Sequence, residues 1–316
     1  DAASYDDVAD QFDLHSTRLS AGAAADLLRL AAVASGERVL DVGTGTGLLP
    51  FELLRTLPSA GPVVGIDISA GMIRTATAKA GQAGLPASRL RFERMDAESL
   101  DFPDASFDVV LSAFALTHVP HPEQALREIL RVLRPGGRAV LAVGSRPPLV
   151  SPRTVAHAVA QLGRAAQSRV GRRLGADLLD RLIVERYGAA PADLPRGSEL
   201  SVRLDRSALL RRLVREAGFV DVRRDWRNYQ NEIETPELFW DIQRTIRSDA
   251  RKRLLDAPAA MVDDVRTRFL DASRRTLDRG GRLTFPISAV FVAGRRPGDA
   301  PSAPDRAAGQ PPITPR

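Results

Sequence analysis

The sequence predicts an α/β protein whose doubly wound, mostly parallel sheet is covered by helices on both faces. Three observations support this prediction. Short apolar segments alternate with amphipathic helical ones from residue 22 to residue 143, as they do in consecutive βαβ units. Three alternate glycines, Gly43, Gly45 and Gly47, follow the first apolar segment, where a strand would turn into a helix. The segment 134–137 (RPGG) ends a later helix directly before another apolar run.

The elements of the first half follow in order from this alternation. A helix is expected at 22–34 and a short buried strand at 37–42, entering the glycine cluster. The remaining elements are a helix at 48–57, a strand at 62–67, a helix at 70–83, strands at 89–94 and 107–111, a helix that begins at Pro122, and a strand at 138–143. Parallel strands of this kind bind ligands at their carboxyl ends.

The pattern changes after Ser145 to long, arginine-rich helices. These are expected within 152–187, at 205–217 and over 236–278, with strands at 219–223 and 282–293. We interpret the helices as insertions that cover the open edge of the sheet. The predicted organisation is therefore a ligand-binding core at 1–145, insertions plus the last strands of the same sheet at 146–296, and a disordered tail at 297–316, which has six prolines in twenty residues.

Composition excludes several chemistries. The chain of 316 residues has no cysteine, which rules out disulfides, thiolate metal sites and cysteine nucleophiles. No apolar run approaches the roughly 18 residues that a membrane helix needs, so we expect a soluble, cytoplasmic protein. No metal site is predicted.

The net charge of +6 is unevenly distributed. There are 13 basic and 18 acidic side chains up to Ser145, and 32 basic and 21 acidic ones after it. Nearly all of the positive charge is arginine. This bias is consistent with phosphate recognition, because the guanidinium group matches phosphate oxygens. It is also consistent with nothing more than the codon composition of the source genome.

Acidic residues follow the first three predicted strands. Asp41 stands two residues before Gly43, Asp67 ends the second strand and Asp96 follows the third. A carboxylate placed like Asp67 can accept hydrogen bonds from both hydroxyls of an adenine ribose. The dinucleotide motif G-x-G-x-x-G fits less well, because the third glycine comes one residue early and Asp41 would repel a pyrophosphate. The pattern favours a nucleotide-like ligand that carries positive charge.

These residues resemble the class I S-adenosylmethionine-dependent methyltransferases, and most closely the branch that includes the ubiquinone and menaquinone biosynthesis C-methyltransferases (methyltransferase type 11). The matching blocks are DVGTGTG (41–47), GIDIS (65–69) with Met72, DAE (96–98), FPD (102–104) with SFDVV (106–110), and RVLRPGG (131–137). They cover about residues 35 to 145. The resemblance implies a Rossmann-like, seven-stranded sheet whose last strand is antiparallel.

The resemblance also implies roles for single residues toward S-adenosylmethionine and its product S-adenosylhomocysteine. The glycine loop would face the methionine part, Asp41 would support the loop and the ammonium group, and Asp67 would bind the ribose. The cofactor-binding residues expected in this way are Asp41, Gly43, Thr44, Gly45, Gly47, Asp67, Ile68, Met72, Asp96, Ala97 and Ser112.

The acceptor side is less defined. His118, just beyond the fourth strand, and His15, in the N-terminal segment, are the candidates for a catalytic base, and a structural role is the alternative for each. Aromatic residues that could contact an acceptor, or equally pack in the core of the insertions, are Tyr5, Phe114, Trp226, Tyr229 and Trp240.

The leading hypothesis is methyl transfer to a small, apolar or aromatic acceptor such as a quinone, a phenol or a secondary metabolite, by a monomer or homodimer. A nucleic-acid methyltransferase using the basic second half is an alternative, and a homologue that keeps the cofactor without transferring methyl, for instance a cyclase, is another. The block typical of enzymes that methylate exocyclic amines of bases is absent, because Ser112-Ala113-Phe114-Ala115 stands in its place. Cytosine C5 methylation and arsenite methylation both require cysteine, so they are excluded for this chain, which has none.

Overall fold

A computed structural model of the chain describes residues 5–6, 8–144, 173–175, 177–188, 206–255 and 257–298. The strands are β1 (Val39–Val42), β2 (Val63–Asp67), β3 (Leu90–Arg94), β4 (Phe107–Ala113), β5 (Leu133–Gly144), β6 (Arg173–Leu174), β7 (Val220–Ile233) and β8 (Arg282–Arg295). The helices are α1 (Ala9–Ala31), α2 (Leu48–Thr56), α3 (Ala70–Gln82), α4 (Pro122–Val132), α5 (Leu178–Tyr187), α6 (Arg206–Glu216), α7 (Pro236–Ile246), α8 (Ser248–Leu255) and α9 (Ala259–Asp278).

One sheet joins both halves of the chain. Its order is β3-β2-β1-β4-β5-β8, and β8 continues to β7. The pairs among β1 to β5 are parallel, whereas β8 is antiparallel to both β5 and β7. The prediction of a mostly parallel, seven-stranded sheet with an antiparallel last strand is therefore confirmed. The two-residue strand β6, parallel to the start of β8, is an addition that was not predicted.

Both faces of the sheet are buried. Successive side chains of a strand point to opposite faces, and most of those in the central strands are apolar. Leu40 and Val42 of β1 belong to a cluster with α4 and α6. Val39, in contrast, belongs to a cluster with α1 and α2. Burial of side chains on both faces is typical of parallel sheets. With both faces covered, the carboxyl ends of the strands are the part of the sheet that a ligand can approach.

A third apolar cluster fills the cover formed by α5, α7, α8 and α9. Phe269 of α9 is fully buried, and its ring centroid lies 5.3 Å from that of Phe239 and 5.4 Å from that of Trp240. Leu19 of α1 and Leu283 of β8 join this cluster. The cover is thus anchored to the sheet by β8 and to the N-terminal helix by direct packing.

Several element boundaries differ from those predicted. β7 runs to Ile233 instead of ending at 223, because its backbone pairs with β8 in an antiparallel ladder that is irregular only between Val220 and Arg223. The segment 236–278, predicted as one helical stretch, forms three helices, with Thr235 capping α7 through the amide of Leu238 and Pro258 preceding α9. Leu174 lies in β6 and not in a helix.

Two further corrections concern the first half. The helix predicted at 22–34 begins much earlier, at Ala9, and ends at Ala31. β4 extends to Ala113, so Ser112 lies inside the strand and not beyond it. The residues 145–172, 189–205 and 299–316, which include most of the predicted tail, lie outside the described residues. No helix within the described part of the chain is long and apolar enough to cross a membrane.

Candidate active site

The loop after β1 has a backbone that requires glycine. Gly43 has φ +70° and Gly45 has φ +54°, both in the left-handed region that L-residues with a Cβ rarely adopt. A Cβ on Gly43 would lie 2.1 Å from the Cβ of Ala115, whereas a Cβ on Gly45 would meet no protein atom within 4 Å. Gly43 therefore permits close packing with the loop after β4, and Gly45 borders open space.

Asp67 ends β2 beside this loop, and the backbone orients its carboxylate. Its Oδ2 accepts a hydrogen bond from the Gly45 amide at 2.9 Å, and its Oδ1 accepts one from the Ser69 amide at 3.0 Å. Burial raises the pKa of Asp67 above its usual value, while these amides and the charge of His118 oppose the rise. Each carboxylate oxygen has a further lone pair with which it can accept a ligand hydroxyl.

Buried polar atoms without a hydrogen-bond partner lie at the same ends of the strands. Among the described residues they include Oδ1 of Asp41, Oγ1 of Thr44 and Oγ of Ser112. Burial, together with the charge of Asp67, raises the pKa of Asp41 to about 7, and the nearby Thr44 hydroxyl counteracts this only in part. Buried groups of this kind are normally satisfied by a partner. Their presence fits a site that takes up a polar, positively charged ligand.

The other predicted cofactor residues surround this centre. Ile68 follows Asp67 with 48% of its surface exposed, unusually high for a large apolar residue, whereas Met72 in α3 is 3% exposed. Asp96 follows β3 and is exposed, with its Oδ1 accepting from the Glu98 amide at 2.9 Å. Ala97 packs against the core beside it. Gly47, at φ +89°, donates its amide to the Thr44 carbonyl and directly precedes α2.

An N-terminal segment, described at residues 5–6 and 8–13, lies against these loops and α3 through three acids. The Asp6 carboxylate accepts from the Ser69 hydroxyl at 2.6 Å and from the Gly71 amide at 2.8 Å. Asp13 accepts from the Thr46 hydroxyl at 2.6 Å and from Lys79 at 2.5 Å. Asp10 accepts from Thr75. These three acids were not predicted, although their spacing of four and then three residues places them on one helical face.

Tyr5 links the N-terminal segment to the loop after β4. Its ring centroid lies 5.8 Å from that of His118, edge to face, and the Arg251 guanidinium lies 4.2 Å from the same ring. The His118 side chain is exposed. Phe114, at φ +62°, is half-buried at the start of the loop that carries His118. The structure thus brings Tyr5, His118 and Asp67 into one region.

The remaining acceptor-side candidates lie elsewhere. His15 is 7% exposed in α1, and burial lowers its pKa, with Asp241 opposing and Arg244 adding to the effect. Tyr229 lies on β7 and donates its hydroxyl to Asp26 of α1 at 2.6 Å. Trp226 lies on the same strand and packs against the core, and Trp240 lies in α7, 4% exposed. Tyr229 packs against the core, which was the alternative given for it, and the sequence did not reveal its hydrogen bond to Asp26.

Metal binding finds no support in this region. Within the residues that the structure describes, no group of three or more His, Asp and Glu side chains could hold a metal ion.

The fold and the glycine loop define a Rossmann-like protein with a candidate ligand site at the strand ends. Two solved structures share this fold. YcgJ from Bacillus subtilis has a TM-score of 0.51 at 21% identity, covering 87% of this chain and 97% of that one. A putative methyltransferase from Bacillus halodurans has a TM-score of 0.51 at 20% identity, covering 87% and 98%.

Sequence comparison narrows the class. Residues 40–141 match the methyltransferase domain family. A stretch of 120 residues is 42% identical to the ubiquinone/menaquinone biosynthesis C-methyltransferase UbiE of Pseudomonas paraeruginosa, covering 38% of this chain and 46% of that protein. The corresponding protein of Geobacter sulfurreducens is 40% identical over 148 residues, covering 45% and 57%. The chain spans about half the length of these curated relatives.

Residues 40–141 are thus similar to the methyltransferase domain family, and the sequence around them is similar to S-adenosylmethionine-dependent C-methyltransferases of class I. The resemblance seen in the motifs is thereby confirmed, and with it S-adenosylmethionine as the cofactor of the class. The match ends at residue 141, so it covers the glycine loop, Asp67 and Asp96 but none of the cover.

Proposed function

We propose that this protein transfers a methyl group from S-adenosylmethionine to a small, apolar or aromatic acceptor held between the sheet edge and the cover. The observation that carries the proposal is the Asp67 carboxylate, which amides of the glycine loop and of the α3 N-terminus hold at the end of β2. The relatives named for ubiquinone and menaquinone biosynthesis support a quinone- or phenol-like acceptor.

The residues present fit the cofactor. Asp67 would accept from the ribose hydroxyls, and open space next to Gly45 leaves room for a ligand against the loop backbone. The unsatisfied Asp41 and Thr44 oxygens lie beneath the same loop. A carboxylate of raised pKa becomes easier to ionise when a cation approaches, which suits a ligand with an ammonium group and a sulfonium. Ile68 and Met72, with Asp96 and Ala97, would contact the adenine.

The protein's part in the reaction is to position the acceptor and exclude water. The bound cofactor supplies an electrophilic methyl group, and its transfer is an in-line displacement that depends on alignment more than on acid–base chemistry. The N-terminal segment closes over the loops that hold the cofactor through Asp6 and Asp13, and Asp10 joins it to Thr75 of α3. Closure of this kind removes competing water from the reacting atoms.

His118 is the group that would hold a proton where the acceptor must lose one. It lies in the loop after β4, five residues beyond Ala113, and its charge acts on Asp67. Its ring packs edge-on against Tyr5, which limits its orientation. A phenol or hydroquinone acceptor needs such a base more than an amine does. His15, buried beside Asp241 and Arg244, is less suited to this role.

The charges of the cover favour a small acceptor over nucleic acid. Several of its arginines already pair with carboxylates. These ion pairs are Arg244–Asp241, Arg268–Asp264, Arg274–Glu237 and Arg282–Glu232. A nucleic-acid surface would instead present a continuous stripe of basic side chains. Cytoplasmic location, a role in secondary metabolism and a monomeric or dimeric state remain part of the proposal.

Calorimetry with S-adenosylhomocysteine tests the cofactor site. Asp67→Ala should weaken binding by about 1–3 kcal/mol, because the carboxylate loses its hydrogen bonds to the ligand. Asp108→Ala is the matched control. Asp108 is also a strand carboxylate that accepts a backbone amide, from Arg38 at 2.7 Å. It lies near the start of β4, however, whereas Asp67 lies at the end of β2. Equal affinity of the Asp67 variant and the wild type would refute the assigned role.

Mass spectrometry tests the transfer itself. The wild-type protein with S-adenosylmethionine and a panel of hydroquinones and phenols should add the mass of one methyl group to at least one of them. His118→Ala should slow methylation of a phenol and leave the affinity for S-adenosylhomocysteine unchanged. Cofactor binding without transfer to any acceptor of the panel, accompanied by conversion of an acceptor at constant mass, would favour a cyclase.

A further inference from the structure

A cavity of about 350 Å³ lies between the N-terminal segment and the cover helices α7, α8 and α9. Its volume falls in the range of about 300–1,000 Å³ that is usual for small-molecule sites. Val8 and Gln11 form the wall on the N-terminal side, and Trp240, Leu254 and Val262 contribute an apolar surface on the other. We refer to it as the cover cavity.

The cover cavity is strongly basic in its described part. Three guanidinium groups, those of Arg244, Arg251 and Arg266, line it together with a single carboxylate, Asp241. The carboxylate pairs with Arg244 at 2.9 Å. Arg251 is only 2% exposed and donates to the Thr245 carbonyl at 2.6 Å. Arginine is the residue best suited to bind planar or tetrahedral oxyanions, because its donors form a rigid fork.

The same cavity is connected to the candidate active site through aromatic contacts. The Arg251 guanidinium lies 4.2 Å from the ring of Tyr5, and that ring in turn packs edge-on against His118. The segment carrying Tyr5 is fixed to the cofactor loops, because Asp6 binds Ser69 and Gly71. One wall of the cavity is therefore held in register with the residues that would bind the cofactor.

We propose that the cover cavity recognises an acceptor by an anionic group, a carboxylate or a phosphate, which the arginines bind while Trp240 and Leu254 contact its apolar body. This rests on the proposed methyl transfer and narrows its substrate class to amphipathic acids. The arginines fix the charged end, and the Tyr5 ring, which contacts both Arg251 and His118, lies between this cavity and the loop of His118.

The two tryptophans of the chain make the site observable. Trp240 lines the cavity, whereas Trp226 lies on β7 in a different cluster. In a Trp226→Phe background, the fluorescence excited in the red edge of the tryptophan band reports on the cavity. Three probes of equal apolar body are titrated: 4-butylbenzoate, 4-butylphenyl phosphate and the neutral 4-butylbenzyl alcohol.

The anions should change Trp240 fluorescence and bind at least about tenfold more tightly than the alcohol, since charge-assisted hydrogen bonds are the strong ones. The tighter of the two anions identifies the preferred group. Arg266→Gln should reduce this preference about threefold or more. Arg266 is chosen because it is exposed, so its replacement spares the buried Arg251.

Arg275→Gln is the matched control, since it removes the same charge from an exposed position of the same helix that does not line the cavity. It should leave the preference unchanged. Equal binding of alcohol and anions, or equal loss in both arginine variants, would overturn the proposal. Calorimetry with S-adenosylhomocysteine distinguishes failure of this proposal from failure of the proposed function. Normal binding of S-adenosylhomocysteine without any preference for the anions refutes only the role of the cover cavity. Absence of S-adenosylhomocysteine binding refutes the proposed function.

Discussion

The part of the sheet built from β1 to β5 and the cover built on β7 and β8 are specified in different ways. In the first, strands lead into short loops whose backbone is specified locally, as with the left-handed Gly43 and with Asp67, which accepts the amide of Ser69 two residues later. In the second, the arrangement of the strands and helices depends on a twelve-pair ladder between β7 and β8 and on an aromatic cluster whose residues come from separate helices. The comparison teaches that cofactor chemistry is encoded in local motifs, while the acceptor side depends on long-range packing.

Phe269→Ala tests whether the two regions are nonetheless one folding unit. Removing this fully buried ring from between Phe239 and Trp240 should lower the free energy of unfolding by about 3–5 kcal/mol. Because β8 lies between β5 and β7, we expect one transition, with coincident urea curves from far-ultraviolet circular dichroism and tryptophan fluorescence. S-adenosylhomocysteine binding should persist below the transition.

Phe107→Ala provides the matched change in the other region, since Phe107 is 3% exposed at the start of β4. This substitution should lower the free energy of unfolding by a similar amount, again in a single transition. Two separated transitions in the Phe269 variant, one of them at the wild-type midpoint, would show that the cover unfolds by itself.

Because of Asp41, the free energy of unfolding of the protein should fall as the pH rises. Its folded pKa of about 7 lies above the ordinary 3.8, so the folded protein keeps a proton that the unfolded chain has already released between those values. Stability therefore falls with rising pH across this window and levels off above it. At about 1.4 kcal/mol per pKa unit, the change amounts to at most about 4 kcal/mol. Asp41→Asn should remove this slope in urea unfolding measured between pH 5 and pH 8.

Glu37 serves as the control of opposite sign. The guanidinium of Arg138, which binds both of its carboxylate oxygens, holds the pKa of Glu37 below its usual value. Its contribution is present at neutral pH and lost as the pH falls, so Glu37→Gln should destabilise the protein more at pH 7 than at pH 4. A wild-type pH profile that Asp41→Asn leaves unaltered would contradict the buried, protonated Asp41.

Gly43 and Gly45 separate the two duties of the glycine loop. Gly43→Ala should cost about 2–3 kcal/mol in stability, because it adds a collision with Ala115 to the left-handed backbone cost. Gly45→Ala adds no protein contact, so about 1 kcal/mol is expected, together with an at least tenfold loss of S-adenosylhomocysteine affinity. Chemical denaturation and calorimetry measure the two effects. Unchanged affinity in the Gly45 variant would mean that no ligand lies against the loop there.

The predictable part of the molecule is the part whose signals are local. Strand ends near Asp67 and the turn at Gly43 were predicted to within one or two residues, since glycine and carboxylate spacing report the backbone directly. The length of β7 was not, because a strand such as VDVRRDWRNYQNEI has little apolar alternation and is defined by its partner β8. The same holds for Tyr229, whose partner Asp26 is 203 residues away. It also holds for Asp6, which binds Ser69 and Gly71, 63 and 65 positions later.

The smallest expected effect tests the contact that joins the N-terminal segment to the cofactor loops. Asp6→Ala removes the acceptor for the Ser69 hydroxyl and the Gly71 amide, next to the turn that orients Asp67. We expect a loss of about 1 kcal/mol, or roughly fivefold, in S-adenosylhomocysteine affinity by calorimetry. Asp10→Ala is the control: it removes the same charge from the same segment, but its exposed bond to Thr75 lies in the middle of α3, so affinity should stay within about twofold. An equal loss in both variants would mean that the segment acts through its overall charge and not through the hydrogen bonds of Asp6.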